Sequence, residues 1–228
     1  MDLVIVTTIV TPATAAFEGQ QAYDLVDLAT VKAELNITDT SKDSLLLRWI
    51  TEASAAAANF CNRVFPVESL KDQIFPPRDY YPAATVIGGV MPLQLSRWPV
   101  TASPTVTENG IALVENTDFL AKYDVGQLLR LDANGWPKRW PALSTLVQYQ
   151  AGYSLADPTL ADLVDGVIRY VKGRYFAQMR DPALRSENIT GAYEAQYWFA
   201  AGPGATVGNL PPDIQALWEK YRAPVLGS

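Results

Sequence analysis

Histidine is absent from all 228 residues. That removes the Ser-His-Asp and Cys-His arrangements of nucleophilic catalysis, and the histidine-ligated metal sites with them. A single cysteine, Cys61, leaves no internal disulfide and no multi-cysteine zinc site. It falls on the apolar face of a predicted helix, which marks a buried thiol rather than a nucleophile. Charge is sparse, with Asp, Glu, Lys and Arg at 18% against roughly 25% in soluble domains. Surface covered without charge favours subunit contacts, although a Thr/Ser/Gln-rich monomer has the same composition. The net charge of −6 argues against a protein that grips phosphates with Lys and Arg. An acidic chain can still surround DNA, because like charge leaves a conduit slippery. No run approaches the ~20 apolar residues of a membrane span. Met1–Val10 is short, with Asp2 where a signal peptide carries positive charge, so the expectation is a protein made and kept in a cytoplasm, with no membrane partner.

What is present reads as α+β. The hydrophobic share of 49% can supply a core. After a possible strand at Leu3–Ile9, Asp27 has the place of an N-cap, and Leu28, Val31 and Leu35 recur at helical spacing. A polar turn at Asn36–Lys42 leads to a longer helix over about Asp43–Arg63. Its apolar face is Leu46, Ile50, Ala53, Ala57, Phe60 and Cys61. The short link makes these two helices antiparallel neighbours.

From Phe65 to Tyr153 prolines punctuate the chain and alternation replaces helical period. Strands are expected at Ser69–Phe75, Met91–Ser96, Pro104–Glu108, Ile111–Val114, Phe119–Tyr123, Leu128–Leu131 and Ser144–Gln150. Asn109-Gly110 is a type I′ hairpin signal, and Asn134-Gly135 a second turn. A third helix starts at Asp157 or Thr159 and runs to about Arg180, with the stripe Leu160, Leu163, Val164, Val167, Ile168, Val171 and Tyr175. Arg185–Ala200 is expected to be extended or irregular, ending in Tyr197-Trp198-Phe199. A Gly-rich linker, Ala201–Asn209, precedes a last helix over Pro211–Tyr221. The expected organisation is a helical bundle from residues 1–64 and 154–200, with an N-terminal extension. An antiparallel β-domain, 65–153, is inserted into it, and a C-terminal arm, 201–228, follows.

No catalytic, cofactor-binding or metal-ligating set stands out. Asp162 with Asp165, and Asp24 with Asp27, are spaced like the paired carboxylates of a glycan hydrolase. Acids near helix N-termini, however, ordinarily complement the dipole and face water. Gly202, Gly204 and Gly208 lack the spacing of a phosphate cradle. Trp98-Pro99, Trp136-Pro137 and Trp140-Pro141 could stack on sugars or bases, but packing under a sheet is the commoner use. Arg169, Lys172, Arg174, Arg180 and Arg185 make the third helix basic on its outer side. Either that side is solvated or, with Tyr197, Trp198 and Phe199, it contacts an acidic neighbour.

The order of parts resembles the head–tail connector family of tailed bacteriophages. Leu25-Val-Asp-Leu-Ala-Thr-Val-Lys-Ala-Glu-Leu-Asn-Ile37 is similar to its opening helix, and Lys42-Asp-Ser-Leu-Leu-Leu-Arg-Trp-Ile50 to its second. Leu95-Ser-Arg-Trp-Pro-Val100 resembles the start of its middle region. Val147-Gln-Tyr-Gln-Ala-Gly-Tyr153 looks like the segment leading into its long helix, and Leu210-Pro-Pro-Asp213 through Arg222 like its terminal segment. The resemblance implies a structural virion subunit without cofactor, an adaptor in a dodecameric ring between the head portal and a stopper or tail-completion protein. DNA would pass through without specific binding. The ring is expected to close on the portal, because free acidic copies repel one another. A portal-binding arm is expected from Ile214, Leu217, Trp218, Tyr221 and Arg222, loosely attached through the glycines, the alternative being that this helix folds back on its own bundle. A stopper protein and a carboxylate-dependent glycan hydrolase are the competing readings.

Overall fold

The computed structural model describes residues 4–75, 90, 92–141, 143–178 and 210–223, and the backbone of Ser186–Ile189 and Tyr193–Gln196. The chain divides into a β unit drawn from Met1–Thr14 and Val64–Ser154, and a helical unit drawn from Ala15–Arg63 and Leu155–Ser228.

The β unit holds β1 (Val4–Thr11), β2 (Glu68–Phe75), β3 (Leu93–Gln94), β4 (Thr105–Glu108), β5 (Ile111–Leu113), β6 (Phe119–Lys122), β7 (Gln127–Arg130) and β8 (Thr145–Ala151). One sheet has the order β1-β2-β8-β4-β5 and another β3-β7-β6, and every pairing within them is antiparallel. Register follows from which side chains must leave water. Leu70 faces Tyr149, Val147 faces Val106, and Val106 faces Leu113. With a side-chain period of two, these residues share one face. They merge with Leu93, Leu95, Phe119 and Leu128 into a single core. The Asn109-Gly110 hairpin forms as its chemistry requires, with φ of 47° and 83°. At the second turn Gly135 takes φ 80°, while the Asp132 carboxylate accepts from the amides of Asn134 (2.8 Å) and Trp136 (2.9 Å).

One boundary is corrected. Residues 4–11, expected as an extension of the helical bundle, form an edge strand of the β unit. Ile5 and Ile9 lie opposite Ile74 and Leu70 of β2. A run of Val, Ile and Thr fits a pleated surface and lacks helical period.

The helical unit contains α1 (Leu28–Glu34), α2 (Asp43–Cys61), a short 3-10 turn (Pro158–Leu160), α3 (Ala161–Ala177) and α4 (Pro212–Glu219). The Asp27 carboxylate accepts from the Thr30 amide at 3.2 Å, the capping bond its position predicts. Asn36 (φ 54°) and Asn62 (φ 49°) carry the left-handed turns that end α1 and α2. Lys32 Nζ lies 2.7 Å from Asp43 Oδ1, tying α1 to the first turn of α2. The buried stripe of α2 is Leu46, Trp49, Ile50, Ala53, Ser54, Ala57 and Cys61, and α3 buries Leu163, Gly166, Val167 and Val171. Helix α3 packs against both α2 and α4. Beyond it, β9 (Ser186–Ile189) and β10 (Tyr193–Gln196) pair antiparallel, within the stretch expected to be extended or irregular.

Candidate functional site

Helix α4 carries the residues expected to bind a portal, and the structure seats most of them within its own unit. Ile214 and Trp218 are buried, and so is Tyr221 beyond the helix end. The Trp218 indole N–H donates to the Leu163 carbonyl at 3.1 Å, and its ring lies 6.2 Å from that of Phe60. The Tyr221 hydroxyl donates to the Thr159 carbonyl at 2.6 Å, and the Ala223 amide to the Cys61 carbonyl at 2.8 Å. The expectation of a loosely held arm is therefore corrected. A helix this short gains its stability from packing, and its aromatic face finds that packing on α2 and α3. Leu217 is half-buried and Arg222 exposed.

The basic side of α3 is already matched by acids of the same unit. Arg169 pairs with Asp165 (2.9 Å) and Asp213 (3.6 Å), Lys172 with Glu34 (3.0 Å), and Arg174 with Glu52. Arg180, Arg185, Tyr197, Trp198 and Phe199 lie outside the described residues, as do Gly202, Gly204 and Gly208.

The paired carboxylates hold local structure. Asp162 pairs with Lys220, Asp165 with Arg169, and Asp27 caps α1. Asp24 is buried, accepting from the Gln21 amide at 3.0 Å and from Gln20 Nε2 at 3.4 Å. Beside α1 an open cleft of about 740 Å³ is lined by Phe17, Glu18, Gln20, Asp27, Leu28 and Lys32, among others. Among the described residues no cluster of three or more His, Cys, Asp or Glu could hold a metal ion. No helix among them is long and apolar enough to cross a membrane.

The β unit contains polar clusters that sequence reasoning missed. Buried Asp72 accepts from the Ser96 amide (2.8 Å), the Ser96 hydroxyl (2.9 Å) and the Tyr149 hydroxyl (2.7 Å). Burial, reinforced by the Asp72 charge, raises the Tyr149 phenol above its ordinary range. Arg130, also buried, reaches Glu108 at 3.3 Å and donates to the Asp118 carbonyl at 2.5 Å. The signal in the sequence was an acid and an arginine at inward positions of alternating strands. Trp98-Pro99 is a cis peptide. Trp140 donates to the Leu128 carbonyl at 3.1 Å, whereas Trp136 is 71% exposed at its turn.

Two apolar edges complete the inventory of surfaces. On β1, Val4, Val6, Ile9 and Val10 are exposed, and at the opposite end of the same sheet so are Ile111 and Val114.

Residues 25–85 match the family of phage gp6-like head-tail connector proteins. Those residues span α1, α2 and β2. Among solved structures, a chain in the virion of a native gene transfer agent is similar over 97% of this chain and 98% of that one, at 17% identity and a TM-score of 0.52. Chains in the neck of the empty and native gene transfer agent particles are also similar. They are 16% and 17% identical, each match covers 100% of this chain and 99% of that one, and the TM-scores are 0.48 and 0.47. No curated protein matches in sequence. Through α1, α2 and β2, residues 25–85 of this chain are similar to the phage gp6-like head-tail connector family.

Proposed function

We propose that the chain is a structural subunit of a virion neck, an adaptor ring that joins the head portal to a stopper or tail-completion protein and encloses the DNA exit channel. The observation that carries this reading is the match of residues 25–85, α1 through β2, to a family described as head-tail connectors. The full-length likeness in fold to a gene transfer agent virion chain is consistent with it. So is a net charge of −6, which lets DNA pass without being held. The front helix pair packed with α3 speaks for an adaptor over a mostly β stopper.

Helix α4 being seated in its own unit, the portal contact falls on what it leaves outward, Leu217 and Arg222. The helical bundle is then a platform rather than the root of a loose arm.

The test is assembly. Heads made without this protein should fill with DNA, lack a ring below the portal, and fail to join tails. Adding the purified chain should restore joining. An adaptor binds portal-bearing heads directly, whereas a stopper binds only after another neck protein is in place. Direct binding in a pull-down of purified heads separates the two, and normal necks in its absence would remove the reading.

A further inference from the structure

The five-stranded sheet ends in two unusual edges. Strand β1 reads Val-Ile-Val-Thr-Thr-Ile-Val-Thr, with no charge and no proline. Val4, Val6 and Val10 are 53%, 52% and 57% exposed, and among the described residues no strand pairs with its outer side. A long, uncharged, β-branched edge is a template for another strand, and soluble proteins ordinarily break such edges with lysine or proline. The opposite edge, β5, is uncharged as well, and there Ile111 is 69% and Val114 60% exposed.

We propose that β1 of one copy pairs with β5 of the next, so that the sheet continues from subunit to subunit. This rests on the ring reading above and names its contact.

Charge selects a second copy as the occupant. Copies of a chain with net charge −6 repel one another on average, whereas these two edges bring no charge together. Position selects head-to-tail contact. The two patches lie at opposite ends of one sheet, so each copy offers both halves of a heterologous interface, the kind that closes into rings. The topology also sets the ladder's direction. Four antiparallel steps separate β1 from β5, so the two strands run the same way within a copy. Where the next copy continues the sheet in that sense, the contact between copies is parallel.

Val6→Lys on β1 and Ile111→Lys on β5 test this, both at exposed positions. Circular dichroism and thermal unfolding confirm that each folds. Sedimentation over a concentration series then reads self-association, and purified portal-bearing heads read the copies loaded per head. Each variant should associate about tenfold or more weakly than wild type, the effect of one unpaired charge in an interface, and should load incompletely. An equimolar mixture should form dimers and nothing larger, since one intact β1–β5 contact remains between the two kinds of subunit. A monomeric mixture overturns the proposal, as does either variant associating and loading like wild type. Normal association by the Ile111 variant alone would indicate β1 pairing with β1. Association in solution that both variants abolish, in a wild type that binds no heads, leaves the contact standing and removes the neck function. Full rings of both variants on heads do the reverse, and a wild type that neither associates nor loads removes both.

Discussion

The Trp218 indole lies over Gly166 of α3, donating to the Leu163 carbonyl at 3.1 Å, and a methyl group on Gly166 would sit 2.9 Å from its Cδ1. Gly166 is the one place on the buried stripe of α3 where another side chain can lie directly on the backbone. Alanine is the better helix former by about 1 kcal/mol, but here overpacking prevails. Gly166→Ala should destabilise the helical unit by about 1–3 kcal/mol and shift the tryptophan fluorescence. Unchanged denaturant unfolding would contradict the seat described for α4.

Because Trp218 belongs to the core, truncation after Ala201 should not yield a folded, assembly-deficient subunit. Trp218→Ala alone should cost about 3–5 kcal/mol, and the truncated protein should aggregate or lose cooperative unfolding in calorimetry. A truncated chain with an unchanged melting temperature would restore the loose-arm expectation.

Tyr149→Phe removes one of three donors to buried Asp72. The remaining partner is left under-satisfied, and the β unit should lose about 1–3 kcal/mol. Guanidinium titration followed by β-sheet circular dichroism measures it.

Alkaline pH should act on both units. Burial pushes the Cys61 thiol up to about 12 from 9.0, and burial raises Tyr149 as well. A group whose folded pKa is raised contributes stability that is complete below its unfolded pKa and is lost as pH rises through the folded one. For Cys61 that loss runs from about pH 9 to about pH 12. Below that window native Cys61 should resist thiol reagents and react only in denaturant. Rapid labelling of folded protein at pH 8 would contradict its burial.

Gly152 takes φ 133°, and a Cβ there would meet the Pro66 carbonyl oxygen at 2.5 Å. Gly152→Ala should destabilise the β unit by about 1–3 kcal/mol, whereas Gly110→Ala, with open space around its Cβ, carries only its own backbone strain. The comparison of the two melting curves isolates the close approach.

Local signals made much of the fold legible. Asp27 announced a cap, Asn109-Gly110 a hairpin, and Leu163, Val167 and Val171 a buried stripe, because each depends on residues within one turn or one strand pair. What was misread or left open depends on distant partners. For Arg169, Lys172 and Arg174 the choice between a solvated side and an acidic neighbour stayed open, because Glu34, Glu52 and Asp213 are far away in sequence. Trp218 looked available because its seat, Gly166, is 52 residues earlier. Asp72 drew no reading at all, because its partners Ser96 and Tyr149 lie 24 and 77 residues away. The contact edges escaped notice for another reason: alternation marks a strand, but not whether its outer side has a neighbour.

Strand β8 lies between β2 and β4, yet it is the last of the five to be synthesised. On the ribosome, β1 with β2, and β4 with β5, can therefore form only separate two-stranded pairs until Ala151 has emerged. The helical unit waits longer still, since α2 has no α3 or α4 to cover it. Neither unit can finish folding before most of the chain exists. Until Phe75 has emerged, the apolar strand β1 has no partner, and such exposed strand surface is what chaperones cover.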